Sequence, residues 1–268
     1  FSEILLLMLK RKLKVSLITN GTVRKEGIIP LMVSNKLMHL MVSLDGPQKI
    51  HDQVRGEGSF HKAMDFIDEV LLTKKELKSK YPKIVAKLTV TPANANSLME
   101  LCEGLITNKR VDGITLNLLF ENEARNGFAD GQSMDDEKFR GGNKIIFNSE
   151  EREVMTQAIS SLKRKFDHFI NIRPDISLNE LSNYFTNPNQ VLPRNCHKHQ
   201  SIVTIYQDGV ITPCDLGLAI TNIRDLQFSL KTLRGTNKML GFRGLMRQKS
   251  PQGNLACAGC CLKKHVAQ

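Results

Sequence analysis

Ile18-Thr19-Asn20-Gly21-Thr22 and, twenty residues later, Val42-Ser43-Leu44-Asp45-Gly46-Pro47 decide the fold of this chain. Each stretch ends an apolar, β-branched run at a turn-forming pair, Asn-Gly or Asp-Gly. The runs themselves, Lys14–Thr19 and Met38–Leu44, are buried-strand candidates, and Ile84–Val90 and Gly113–Leu119 are two more. Between them, Ser59–Lys80 and Ala95–Lys109 repeat apolar residues at helical spacing. Strand–helix alternation of this kind builds right-handed βαβ units. It predicts a parallel sheet with helices outside it, an α/β protein.

The pattern breaks from Glu121 to about Gly142 into Gly, Asn and Asp, which predicts a loop with one short helix. Asn148 and Glu151 then mark a helix start, and Glu150–Phe166 reads as an amphipathic helix. Asn171–Asn195, rich in Pro and Asn, reads as a connector. Beyond it, Ile202–Gln207 and Val210–Thr212 flank Asp208-Gly209, a hairpin signal in which both turn residues are expected at positive φ. Three segments result: 1–145, 146–195 and 196–268.

Composition narrows the function. The 268 residues are 41% apolar, enough to bury a sizeable core, yet they contain no Trp and only 6% aromatics. The net charge of +11 is uneven, and residues 196–268 carry 10 Lys/Arg against 3 Asp/Glu. These charges are scattered without aromatic interleaving, so a solvated basic surface is expected and nucleic acid is not. The apolar run Ile4–Leu9 is followed, not preceded, by Lys10-Arg11-Lys12, and is too short for a membrane span or a signal peptide. It reads as a helix already in progress, with the cytoplasm as the default location. Five of the six cysteines fall in the last 73 residues, which favours metal binding over disulfides.

In parallel α/β barrels, reactive groups sit on the loops after the strand C-termini. The two strand ends, together with His51-Asp52, Arg55-Gly56 and Gly58-Ser59-Phe60, resemble the radical SAM superfamily. Within it, the resemblance is to the branch with a C-terminal SPASM or twitch auxiliary-cluster domain. It implies a partial (β/α)6 barrel represented by its last four strands, its first two being absent. A small cysteine-rich domain with a β-hairpin would follow. It places Ser43 and Arg55 at the S-adenosylmethionine (SAM) site: a hydroxyl for the ribose or amino-acid moiety, and a guanidinium able to fork onto the carboxylate. Asp45 and Asn20 lie on the same rim, where turn stabilisation is their simpler role. His51 is expected to make a structural hydrogen bond.

The cysteines carry a second resemblance. Cys196, twelve residues, Gly209, four residues and Cys214 fit the SPASM/twitch opening C-x(9–15)-G-x4-C, and Cys257 and Cys260 form a C-x2-C pair. Four thiolates at these spacings suit one auxiliary [4Fe–4S] cluster, and structural zinc is the alternative. Cys261 is a spare thiol or an alternative ligand, and Cys102 is a small buried hydrophobe on a helix face. Neither C-x3-C-x2-C nor Gly-Gly-Glu occurs in these residues, so the SAM-cleaving cluster is expected to belong to sequence preceding Phe1. The resemblance implies a peptide or small-molecule substrate, a reductant such as flavodoxin or ferredoxin, and no membrane. An inactive fragment or zinc-binding module is the rival reading.

Overall fold

The computed structural model describes residues 1–118, 147–186, 191, 202–212 and 219–241. The chain divides into two compact units. The first comprises Phe1–Leu119 and Ser149–Arg173, the second Phe120–Asn148 and Pro174–Gln268.

The first unit opens with α1 (Ser2–Lys10), then β1 (Ser16–Thr19), α2 (Ile28–Ser34), β2 (His39–Leu44), α3 (Gln48–Arg55) and α4 (Ser59–Glu76). There follow β3 (Lys83–Val90), α5 (Pro92–Ala95), α6 (Leu98–Thr107), β4 (Gly113–Leu118), α7 (Ser149–Lys165) and β5 (Ile170–Arg173). The strands form one sheet in the order β1-β2-β3-β4-β5, and every pairing is parallel. Sequential order with parallel pairing is what successive βαβ units produce. The strand and helix candidates of this region fall where the apolar spacing puts them.

Side chains alternate across the sheet, as the two-residue period of a strand dictates. Leu40, Val42 and Leu44 of β2, Ile84, Ala86 and Leu88 of β3, and Ile114 and Leu116 of β4 are fully buried. Ala63, Ile67 and Val70 of α4, Leu98 of α6 and Met155 and Ile159 of α7 are buried as well. Each such Leu or Ile contributes about 1.5–3 kcal/mol by leaving water. The opposite face carries Met41, Ser43, Val85, Lys87, Thr115, Asn117 and Arg173, all half-buried. This is the polar side of the sheet.

One expectation changes. The sequence reading gives this sheet four strands, and the described residues form five, because Ile170–Arg173 pairs with β4 in the registers Ile114↔Ile170 and Leu116↔Ile172. The segment expected as a connector therefore begins with a strand. Its Ile170 and Ile172 are buried while Asn171 is exposed.

In the second unit, β6 (Thr204–Ile205), β7 (Val210–Thr212) and β8 (Thr221–Asn222) form a three-stranded antiparallel sheet. The expected hairpin is present, but its turn is of a different kind. The Gly209 N–H donates to the Tyr206 carbonyl at 2.9 Å and the Tyr206 N–H to the Val210 carbonyl at 2.9 Å, and Gly209 alone among the turn residues has positive φ, +89°. This is a three-residue loop, a tight turn closed by a left-handed glycine, and it spares Asp208 the positive φ that a two-residue turn would demand. The short helix α8 (Leu181–Thr186) buries Tyr184 and Phe185, whose ring meets Phe147 edge-on with centroids 6.1 Å apart.

Candidate functional site at the strand ends

The rim at the C-terminal end of β2 is built around Asp45, which is held at three points. Its backbone N–H donates to His51 Nδ1 at 3.1 Å. Its carbonyl accepts from Asn94 Nδ2 at 2.8 Å. Its carboxylate pairs with Arg55 Nε. Asn94 is itself buried and tied down, donating also to the Thr89 carbonyl at 2.7 Å and accepting from the Thr91 N–H at 2.9 Å. The two strand ends of β2 and β3 are thereby laced together by one side chain.

Arg55 is the last residue of α3, and Asp52 one turn earlier fixes where that helix stops. The Asp52 carboxylate accepts from the Phe60 N–H at 2.8 Å, the Ser59 hydroxyl at 3.1 Å and the Gly58 N–H at 3.2 Å. It thus caps the start of α4 from outside the helix. The bond from the Phe60 N–H is the leading reason its pKa lies below the ordinary carboxylate value, with the Gly58 and Ser59 bonds adding to it against some desolvation. With both ends of the loop held, Arg55 stays at the rim. Its guanidinium spends Nε on Asp45, and its two Nη groups have no partner among the described residues. The Ser43 hydroxyl, two residues before Asp45, has none either.

His51 is fully buried and packs edge-on against Phe60, with ring centroids 5.7 Å apart. Because Nδ1 accepts from Asp45, the neutral ring carries its proton on Nε2, which is buried without a hydrogen-bond partner. Burial pushes the His51 pKa below its ordinary value. Asp45 and Asp52 oppose that shift, and Arg55 adds to it.

Asn20 sits at the neighbouring strand end, since Thr19 of β1 registers with Val42 of β2. Its Oδ1 accepts from the Thr22 N–H at 3.1 Å, so its carbonyl oxygen is committed to the turn. The next residue, Gly21, has φ +72°, and a Cβ there would stand 3.0 Å from Ala63 Cα of α4. The structure therefore brings Asn20, Ser43, Asp45 and Arg55 to one edge of the sheet, and Asp45 holds Arg55.

Sequence reasoning missed Asn94. Its signal is the run Thr91-Pro92-Ala93-Asn94, in which Thr91 and Asn94 cap the short α5 reciprocally. Cys196, Cys214, Cys257, Cys260 and Cys261 lie outside the described residues. Cys102 is buried in α6, and burial pushes its thiol up to about 12. Among the described residues no group of three or more His, Cys, Asp or Glu is placed to hold a metal, and no helix is long and apolar enough to cross a membrane. A groove of about 290 Å³ opens among the helices, floored by Phe60, Met64, Leu101 and Leu105. Of the strand-end motif, only Pro47 reaches it.

No protein-family profile matches the chain, and no curated protein sequence does. Solved structures do. Streptococcus suis SuiB superposes with a TM-score of 0.63 at 13% identity, over 96% of this chain and 57% of SuiB. SuiB bound to its precursor peptide SuiA gives 0.61 at 12%, over 96% of this chain and 56% of that one. The anSMEcpe protein with bound AdoMet (SAM) gives 0.57 at 19%, over 93% of this chain and 62% of that one. The chain thus spans about three fifths of the solved structures it matches. At these identities the fold is what is shared.

Proposed function

We propose that this chain is the SAM-cradling portion of a radical SAM enzyme that acts on a peptide or a small molecule. The observation that carries the reading is the rim itself: Arg55 is anchored through Nε to Asp45, and neither its Nη groups nor the Ser43 hydroxyl at the end of the same strand has a partner among the described residues. That donor set fits SAM. Arg55 would hold the carboxylate through paired charge-assisted hydrogen bonds, and Ser43 would meet the ribose or amino-acid moiety. Asp45 would orient the guanidinium, and Asn20 would hold the adjoining turn. When bound and reduced, SAM supplies the 5′-deoxyadenosyl radical that abstracts hydrogen from the substrate. The residues at hand bind and orient it.

The cluster that reduces SAM would be held by sequence outside these residues, with flavodoxin or ferredoxin as electron source. Residues 196–268 would form the SPASM or twitch domain, in which Cys196, Cys214, Cys257 and Cys260 hold an auxiliary [4Fe–4S] cluster. A peptide substrate is favoured over a small molecule by the fold shared with SuiB, which has been solved with its precursor peptide. The cytoplasm suits oxygen-sensitive clusters of this kind.

Calorimetric titration of SAM tests the reading, in protein extended upstream through a C-x3-C-x2-C motif. Arg55→Ala should weaken SAM by about tenfold to several hundredfold, the loss of one or two charge-assisted bonds at ~1.4 kcal/mol per decade. Arg55→Lys keeps the charge but loses the fork and should recover only part. Unchanged affinity with a lowered melting temperature would make Arg55 a loop anchor instead.

A further inference from the structure

The polar face of the sheet carries two cations that no acidic side chain answers among the described residues. Its strand positions, read across the registers, are Ser16 and Ile18 on β1; His39, Met41 and Ser43 on β2; Lys83, Val85, Lys87 and Thr89 on β3; Gly113, Thr115 and Asn117 on β4; and Asn171 and Arg173 on β5. None is Asp or Glu. Lys83, at the far end, is paired with Asp112 at 2.9 Å. Lys87 and Arg173 have no ion pair or hydrogen bond among the described residues, although both are half-buried. A half-buried cation with no counter-charge among its described neighbours is poised to receive one from a ligand.

Their placement is specific. Lys87 registers with Ser43 on one side and Thr115 on the other, one strand from the proposed SAM hydroxyl. Arg173 registers with Asn117, which in turn registers with Thr89. Two strand spacings and two residues of rise separate the cations, roughly 12 Å between their Cα atoms. Two side chains of this length can converge on one anion lying between them. Thr115, Asn117 and Asn171 surround that position and supply neutral donors without competing charge.

We propose that Lys87 and Arg173 form the substrate-selecting element of this site, and that they bind a carboxylate on an acidic peptide. The proposal rests on the SAM reading above, because it places the substrate on the sheet face beside Ser43. Asp45 is not available to neutralise the pair, since its carboxylate is taken by Arg55.

The test uses the 268-residue chain and a fluorescein-labelled hexaglutamate peptide, with hexaglutamine as neutral reference, read by anisotropy. The chain is strongly basic overall, so a charge-matched control is essential. Lys87→Gln/Arg173→Gln should weaken hexaglutamate binding by about tenfold or more, as expected for two charge-assisted contacts. Lys10→Gln/Lys25→Gln removes the same charge from exposed surface and should change it less than about twofold. Lys87→Arg/Arg173→Lys, which keeps both charges, should retain most of the affinity. Equal losses in the two glutamine variants would overturn the proposal, as would equal binding of hexaglutamate and hexaglutamine. SAM titration, carried out in the upstream-extended protein described above, separates the two readings. If Lys87→Gln/Arg173→Gln abolishes SAM binding, the pair serves SAM and the substrate assignment falls. If SAM binds no version of the protein, the SAM reading falls while the peptide ratio still stands on its own.

Discussion

His51 shows how much one residue can carry without touching a substrate. Its Nδ1 fixes the Asp45 backbone, and its ring fills the space behind Phe60. Its depressed pKa ties this geometry to pH. In the unfolded chain the imidazole takes up a proton near ~6.5, whereas in the folded chain burial delays uptake to lower pH. The unfolded state therefore binds more protons in that window. Stability should be full above about pH 6.5 and should fall as pH drops through the folded value. Urea midpoints at about pH 7.5 and about pH 5.5 should show the decline in wild type and a shallower one in His51→Asn, whatever the variant's absolute stability. An undiminished slope would assign the effect to other groups among the seven histidines. The rim was only partly legible from sequence for the same reason. Ser43 and Arg55 stand in a motif, but Asn94 and Asp52 act through caps and backbone bonds to partners 49 and 8 residues away. Spacing alone does not reveal those.

At the scale of elements, the strand-to-helix turns decide how closely the layers pack. Gly21 lets β1 turn under α4, with Ala63 at the contact. Gly21→Ala would impose a left-handed backbone on an L side chain and press its Cβ into the helix, at a cost of roughly 1–3 kcal/mol. A thermal melt should show the loss, and a melting temperature equal to wild type would mean that the turn relaxes freely. The first four strands were readable because each is an apolar run, and the first two also end at an Asn-Gly or Asp-Gly turn. The fifth, Ile-Asn-Ile-Arg, is four residues long, alternates polar with apolar, and runs into Pro174, so it carries no such signal. Its strand character comes from pairing with β4, a tertiary effect that local pattern does not encode. The Asp208-Gly209 hairpin was legible as a hairpin, but its turn geometry was settled by the carbonyl of Tyr206.

For the whole molecule, the decisive chemistry concerns the cysteines. If Cys196, Cys214, Cys257 and Cys260 hold an auxiliary cluster, anaerobic reconstitution should load four irons and four sulfides per chain. Cys214→Ala or Cys257→Ala should abolish loading. One zinc and no sulfide would favour the zinc-binding module, and full iron in both variants would remove those two as ligands. The sheet itself has a further consequence. Among the described residues, β1 is an outer strand with β2 on one side only, and Ile18 and Leu13 beside it are half or more exposed. Its outward N–H and C=O groups form a ready template for another extended chain. An edge of this kind can pair with the same edge of a second copy, which makes the polypeptide adhesive. Its usable concentration should thus be limited by self-association rather than by unfolding. Sedimentation velocity over a dilution series should show mass growing with concentration, and Ile18→Lys, which places a charge on that edge, should bring the chain back to monomer.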